Sequence, residues 1–128
     1  MKKSFRIIPR MDIKGDKLVK TIRLEGVRAV GDPKYFAQKY YEEGADEIFL
    51  NDAVASLYGR NSLFEVIREI SKEVFIPITL AGGLRSLNDV EKALNSGADK
   101  VAINTFLHSM PVLINDIEKN FGSNCMVL

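Results

Sequence analysis

Apolar residues along the chain occur in short runs that alternate with longer stretches of helical periodicity. The runs at residues 5–13, 47–52 and 77–81, and the run that ends at Asn104, predict strands that are apolar on both faces. Stretches with an apolar residue every three or four positions predict helices at residues 33–43, 62–73, 86–96 and 111–121. Residues 125–128 predict the beginning of a fifth strand. This alternation is typical of a parallel sheet covered by helices.

One segment occurs twice, because GADEIFLND begins at Gly44 and GADKVAINT begins at Gly97. In each copy a predicted helix ends at the glycine, which adopts the left-handed cap conformation at low cost. An apolar run follows and ends in asparagine plus one more polar residue. Each copy therefore predicts a helix, a tight turn, a buried strand and a polar strand end, which indicates a fold of repeated βα units.

The polar segment between strand one and Asp32 contains an alternating stretch at residues 18–24. Such alternation predicts a small hairpin or a mobile flap. Asp32 then predicts the cap of the first helix, with Pro33 at the first helical position.

Repeated βα units of this size fit two architectures. Eight units form a (β/α)8 barrel of about 250 residues, and this chain holds four units and the start of a fifth strand. A doubly wound open sheet is the alternative, but the G-x-G-x-x-G loop that normally follows its first strand does not occur here. We therefore expect an α/β fold of the TIM-barrel type, in which residues 1–128 form a single partial (β/α) barrel domain corresponding to the N-terminal half-barrel.

The composition limits the function. The chain has 128 residues, 46% of them hydrophobic, which suits one globular domain. Its 18 basic and 17 acidic residues give a net charge of +1, so no nucleic-acid partner is expected. No apolar stretch has the length of a signal-peptide core or a membrane span, which predicts a cytoplasmic location and no membrane contact. The lone Cys125 is expected to be a structural thiol, and neither a metal nor a cofactor is expected.

Residues suited to chemistry fall at the predicted carboxyl ends of the strands, namely Asp12, Asp52, the Gly82 and Gly83 pair, and Thr105. In a parallel sheet or barrel these ends meet at one edge. Function is therefore expected at that edge.

The motifs IIPRMDIKG at residues 7–15, AGG at 81–83 and GADKVAINT at 97–105 resemble the cyclase subunit of imidazole glycerol phosphate synthase, one of the histidine-biosynthesis barrels. The resemblance covers the whole chain but only the N-terminal half of that family's barrel. It implies an ammonia-using lyase of histidine biosynthesis. A glutaminase subunit in a heterodimer releases the ammonia, which converts a phosphorylated substrate into imidazole glycerol phosphate and aminoimidazole carboxamide ribotide.

The resemblance assigns Asp12 to the first of two catalytic aspartates, which exchange protons during ring closure. The second aspartate belongs to the end of strand five, beyond Leu128, so activity of this chain stays an open question. An aspartate that only caps the next loop is the alternative for Asp12.

Gly82, Gly83, Asn104 and Thr105 resemble one phosphate site of the family, in which backbone N–H groups and polar side chains bind the oxygens. The alternative is a tight turn plus a strand-end cap. Lys20 matches a lysine of the family's mobile first loop that contacts substrate, and an ordinary solvated lysine is the alternative.

Arg6, Glu47 and Lys100 lie at the opposite, amino-terminal ends of predicted strands. In the family, matching residues form part of a charged ring that gates the ammonia passage. A structural ion cluster is the alternative.

Arg10, Asn51 and Thr21 depart from the family pattern, and Thr21 stands where a glycine normally follows the loop lysine. Strand alternation places Arg10 on the same face as Asp12, where the biosynthetic cyclase has a small residue. A buried arginine is costly unless paired, so Arg10 is expected to meet a carboxylate or an anionic substrate, and it joins Asp52 among the expected substrate-binding residues. Asn51 adds polarity where an apolar side chain is usual. Pro9 with Arg10, and SLYGRNS at residues 56–62, are closer to paralogues associated with surface-polysaccharide genes.

Three functions therefore remain open. They are a cyclase-type synthase subunit, a paralogue that uses ammonia to amidinate a nucleotide-linked sugar, and a non-catalytic half-barrel that binds phosphate or a partner. The exposed sheet edges of a half-barrel also predict a homodimer or association with a missing second half.

Overall fold

The computed structural model describes residues 5–22, 26–53, 63–104 and 111–128. Within these ranges the elements are β1 (Arg10–Lys14), β2 (Lys17–Ile22), β3 (Gly26–Gly31), α1 (Pro33–Glu42), β4 (Ile48–Asp52), α2 (Phe64–Ser71), β5 (Ile78–Ala81), α3 (Leu87–Ser96), β6 (Lys100–Ala102), α4 (Val112–Phe121) and β7 (Met126–Val127). A short 3-10 turn, Ser123–Cys125, leads into β7.

The strands of the described ranges form one sheet in the order β3-β2-β1-β4-β5-β6-β7. From β1 through β4, β5 and β6 to β7, neighbouring strands pair in parallel. Helices separate these strands along the chain, so the predicted α/β class is confirmed, and the fold is that of a partial (β/α) barrel. The predicted start of a fifth barrel strand is also confirmed, since Met126 pairs with Val101.

The two faces of the sheet differ because side chains alternate along each strand. In β4, Ile48 and Leu50 are fully buried, whereas Phe49 and Asn51 are only partly buried. The buried strand residues share one hydrophobic core with residues from the helices, which include Ile67, Ile70, Val90, Ala93, Leu113 and Ile117. The helices therefore pack on one face, and the other, polar face carries Arg10, Asp12 and Asn51.

Residues 18–22 of the alternating stretch lie in β2, which forms an antiparallel hairpin with β3, so the hairpin rather than the flap is confirmed. Residues 23–25 lie outside the described ranges. The hairpin joins the sheet where Ile13 pairs with Leu18 and Lys14 with Lys17. It therefore extends the sheet from the carboxyl end of β1.

The predicted start of strand one is wrong, because β1 begins at Arg10 rather than near residue 5. Proline has no N–H group to donate, and Pro9 interrupts the ladder just before the strand. The preceding residues still contact the segment before β4, since the Asp46 N–H donates to the Ile7 carbonyl at 2.9 Å. Phe49 likewise donates to the Pro9 carbonyl at 3.0 Å.

The helices match the predicted ones, with ends that differ by a residue or two. Asp32 caps α1 by accepting a hydrogen bond from the Lys34 N–H at 3.0 Å, and Pro33 opens the helix, as predicted. Ser86 caps α3 in the same way through the Asp89 N–H at 3.2 Å. No helix in the described part of the chain is long and apolar enough to cross a membrane.

The two equivalent glycines of the repeat are expected to respond differently to substitution. Both have positive φ, 95° at Gly44 and 118° at Gly97. A Cβ atom at Gly44 would meet nothing within 4 Å, whereas one at Gly97 would lie 2.6 Å from Ser71 Oγ. We expect Gly97→Ala to lower the free energy of unfolding by about 3 kcal/mol and Gly44→Ala by about 1 kcal/mol. Chemical denaturation followed by circular dichroism measures both, and equal losses would contradict the predicted contact with α2.

Candidate functional site

The parallel register of β1 and β4 brings two polar side chains together at the carboxyl end of the sheet. Asp12 and Asn51 are direct partners in this ladder. The Asn51 side-chain amide donates to Asp12 Oδ1 at 2.9 Å. Asn51 therefore belongs to the site, although the sequence showed only that it adds polarity to a strand face.

Arg10 contacts the same oxygen of Asp12. Its Nε donates to Asp12 Oδ1 at 3.1 Å, and its Nη2 lies 3.1 Å from that atom. The two side chains are 63% and 27% exposed. The strand alternation thus predicted correctly that Arg10 and Asp12 share a face, and the arginine meets a carboxylate, but the expected burial of Arg10 is wrong because its side chain is mostly exposed.

Arg10 and Asn51 line a cleft of about 870 Å³ at this edge. The cleft is also lined by residues from the ends of β4, β5 and β6, which include Asp52, Gly82, Gly83, Arg85 and Asn104. Gly82 and Gly83 have positive φ, 91° and 69°. The structure therefore brings three of the four expected phosphate-site residues together, and Thr105 lies outside the described residues.

Arg85 is a cleft residue that the sequence analysis missed. Its N–H donates to the Asp89 carboxylate at 3.0 Å, which fixes the backbone just before α3. Arg85 is partly buried and is one of the residues that line the cleft, together with the glycine pair. The sequence does contain a signal that could have identified Arg85 as a cleft residue: it is an arginine directly after Gly-Gly-Leu, at the carboxyl end of a predicted strand.

Two other expected substrate-binding residues have different environments. Asp52 is 6% exposed and lines the cleft, and a Cβ atom at Gly82 would lie only 2.9 Å from the Asp52 carbonyl oxygen. Lys20 is exposed on β2, where its partner across the hairpin is Arg28. Lys20 is not among the described residues that line the cleft.

Arg6, Glu47 and Lys100 meet at the opposite end of the strands. The Glu47 side chain is 7% exposed and forms ion pairs with both cations. The Lys100 Nζ lies 3.3 Å from Glu47 Oε2, and Arg6 Nη1 contacts Glu47 Oε1. The predicted charged group is thus present, and the ammonia-gate role stays a prediction. Within the described ranges, no three His, Cys, Asp or Glu residues cluster as metal ligands.

Comparison with known proteins identifies relatives along nearly the whole chain. The family described as histidine biosynthesis protein matches residues 6–128. A Legionella pneumophila protein, imidazole glycerol phosphate synthase subunit HisF, is 54% identical over 123 residues, which cover 96% of this chain and 58% of the relative. A protein of the same name from Helicobacter hepaticus is 46% identical, and the match covers 96% of this chain and 49% of the relative. A third, from Corynebacterium glutamicum, is 42% identical, and the match covers 98% of this chain and 48% of the relative. The chain thus spans about half the length of the relatives it matches.

Proposed function

The chain belongs to the histidine biosynthesis protein family, and we propose that it forms part of the cyclase site of an imidazole glycerol phosphate synthase. This site uses glutaminase-derived ammonia to make imidazole glycerol phosphate and aminoimidazole carboxamide ribotide in the cytoplasm. One observation carries the proposal: Asp12 lies against two residues of a cleft whose other wall holds a glycine pair and Asn104. Relatives named as this synthase subunit support it.

The cleft can orient a phosphorylated substrate in front of a proton-transfer group. Backbone N–H groups near Gly82 and Gly83 and the Asn104 amide are suited to phosphate oxygens. Ring closure with ammonia requires proton transfers, and a positioned carboxylate such as Asp12 can accept and donate protons. The donors on Asp12 Oδ1 fix its orientation, and no residue in the described part of the chain donates to Oδ2, which is the oxygen proposed for this exchange. Binding is thus assigned to the glycine pair and Asn104, and proton transfer to Asp12, which contacts the cleft residues Arg10 and Asn51.

The test is a reconstituted assay that combines this chain with the portion of the Legionella relative that the match leaves uncovered. The mixture receives the phosphoribulosyl-formimino carboxamide nucleotide and an ammonium salt. We expect ammonia-dependent formation of both products, whereas the Legionella portion alone is the control and should form neither. Failure of a folded mixture to form either product would refute the proposal and favour the non-catalytic half-barrel.

The charged group at the amino-terminal end supports a second part of the proposal, a glutaminase partner whose ammonia passes Arg6, Glu47 and Lys100. If Lys100 gates this passage, Lys100→Met should lower glutamine-dependent turnover by about tenfold, because Glu47 loses a partner that holds it at 3.3 Å. Turnover with added ammonium salt, which reaches the cleft from solvent, should change less than about twofold.

The measurement compares both ammonia sources in the reconstituted assay with a glutaminase subunit present. Lys92→Met, at an exposed position on α3, is the matched control and should change neither rate. Equal losses with glutamine and with ammonium salt would show that Lys100 acts on the fold or on the chemistry rather than on ammonia passage.

A second candidate function is the amidination of a nucleotide-linked sugar by the surface-polysaccharide paralogues. This alternative rests on the residue types of Arg10 and Asn51, which depart from the biosynthetic pattern and which both contact Asp12. Supplying the histidine precursor and a nucleotide sugar together separates the two functions. Turnover of the precursor supports the cyclase, and amidination of the sugar alone would eliminate it.

The open sheet supports a further proposal, that the polar face is closed by a second half-barrel or by a second copy of the chain. Within the described residues, β7 is the last strand of the sheet and pairs only with β6. Light scattering after size-exclusion chromatography distinguishes a dimer from a monomer. A stable, folded monomer would count against closure by a second copy.

A further inference from the structure

Asn51 is a half-buried residue whose side chain contacts Asp12 from the neighbouring strand. Its Nδ2 lies 2.9 Å from Asp12 Oδ1, and the two residues are direct partners in the ladder of β1 and β4. An ionised carboxylate only accepts hydrogen bonds, so the amide must turn its N–H groups toward Asp12 and its oxygen away. The contact therefore favours one orientation of both side chains.

The sheet restricts the position of the Asn51 amide. Asn51 pairs with Asp12 of β1 on one side and with Ala81 of β5 on the other, so β4 is an inner strand at this point. The side chain of an asparagine is short, and little rotamer freedom is lost when it is held in one position. The hydrogen bond to Asp12 therefore comes from a group that the paired strands keep in place.

Arg10 is the other donor to Asp12, and it is less able to hold the carboxylate. Its contacts at 3.1 Å come from a long side chain that is mostly exposed. An exposed ion pair contributes little, because water screens the charges and a long side chain loses entropy when it is restrained. Of the two donors, Asn51 is therefore the one that sets the orientation of Asp12.

We propose that Asn51 is a positioning residue, which holds Asp12 so that its Oδ2 is the oxygen presented to the reacting group. This role rests on the proposed function, in which Asp12 exchanges protons with the substrate. Proton transfer requires that oxygen to lie within hydrogen-bond reach of the proton, and a displacement of about 1 Å can cost about 10²-fold in rate. Asn51 thus acts on the reaction through Asp12.

Asn51→Leu tests this role, because leucine has a similar size but no donor. Among the described residues, only Arg10 then donates to Asp12. In the reconstituted assay with ammonium salt we expect kcat to fall by about 10–10²-fold and KM to change less than about threefold. Initial rates at varied substrate concentrations measure both. Asn51 also lines the cleft, so a rise in KM with kcat unchanged would assign it to substrate binding and overturn the positioning role.

Two further variants separate the hydrogen bond from packing. Asn51→Gln retains the carboxamide on a longer side chain, and its kcat should stay at least about fivefold above that of Asn51→Leu. Asn51→Asp keeps the size but turns a second carboxylate toward Asp12, so its kcat should be no higher than that of Asn51→Leu. It also supplies the measurement if Asn51→Leu does not fold. Equal kcat in Asn51→Gln and Asn51→Leu would overturn the proposal.

The matched control is Asn115→Leu, the same substitution at an exposed position on α4. Asn115 is not among the described residues that line the cleft, so kcat and KM should each change less than about twofold. A loss of kcat equal to that of Asn51→Leu would show that the effect is not specific to Asp12. A larger fall of kcat in Arg10→Gln than in Asn51→Leu would assign the positioning to Arg10 instead.

An NMR measurement on the full chain tests the contact without turnover. The Asn51 side-chain amide proton that donates to Asp12 should shift upfield in Asp12→Ala, where its acceptor is lost, and the Asn115 amide signals should not move. Absence of a shift at Asn51 would refute the positioning role even if the reconstituted assay forms both products. A clear shift at Asn51 without product formation by the natural chain would refute the proposed function alone.

Discussion

Asp12→Asn is expected to lower ammonia-dependent turnover in the reconstituted assay by about 10²–10⁴-fold. Asparagine keeps the shape of the side chain and an oxygen that can accept from Arg10 and Asn51, which now contact Asp12 Oδ1 at 3.1 and 2.9 Å. It has no carboxylate to accept and return a proton. Positions in the cleft should therefore be retained while proton transfer is lost, so the effect should fall on kcat rather than on KM.

Asp16→Asn is the matched control for Asp12→Asn. The Asp16 side chain is 85% exposed and lies 3.8 Å from the Lys17 ammonium, so its replacement should change turnover less than about twofold. Turnover within a few fold of the natural rate in Asp12→Asn would remove Asp12 from the catalytic role. A rise in KM with kcat unchanged would instead indicate a binding role.

Leu50→Ala is expected to cost about 2–5 kcal/mol of unfolding free energy, the largest loss that we predict for stability. Leu50 is fully buried and lies between Met11 of β1 and Leu80 of β5 in the ladder. Removal of its branched end leaves a cavity that the paired backbones on both sides cannot close. Since domains are typically stable by about 5–15 kcal/mol, this one change removes a large part of the total.

Urea denaturation followed by circular dichroism measures the loss at Leu50. Val112→Ala is the control, because Val112 is 63% exposed at the start of α4 and should change stability by less than about 0.5 kcal/mol. A loss below about 1 kcal/mol at Leu50 would show that the core relaxes into the space. If the core relaxes in this way, the neighbouring Asn51 should keep its hydrogen bond to Asp12.

Helix caps, glycine turns and hydrophobic periodicity predicted much of the fold, because each depends only on residues that are close together in the sequence. Asp32 and Pro33 start α1, and both repeat glycines have positive φ where helices end. Pro9 shows where the local prediction was wrong: the apolar run continues through it, but its missing N–H delays the regular ladder until Arg10. Hydrophobicity alone does not report the loss of a hydrogen-bond donor.

The candidate site was predicted only in part, because its residues come from several strands. Alternation was enough to place Arg10 beside Asp12, since both lie on β1. The contact between Asn51 and Asp12 depends on the register of β1 against β4, and Arg85 reaches the cleft through the turn after β5. No short-range pattern determines either arrangement.

The sequence by itself determined the alternating βα units, the helix ends and the residue types at each strand end, because these depend on local periodicity and backbone chemistry. Only the tertiary structure decided which strand ends become neighbours, and therefore that Asn51 donates to Asp12 and that Glu47 pairs with Arg6 and Lys100. The physical reason is that strand register is set by packing of the whole core. A shift of one residue in the register of β4 would turn Asn51 to the opposite face of the sheet, away from Asp12.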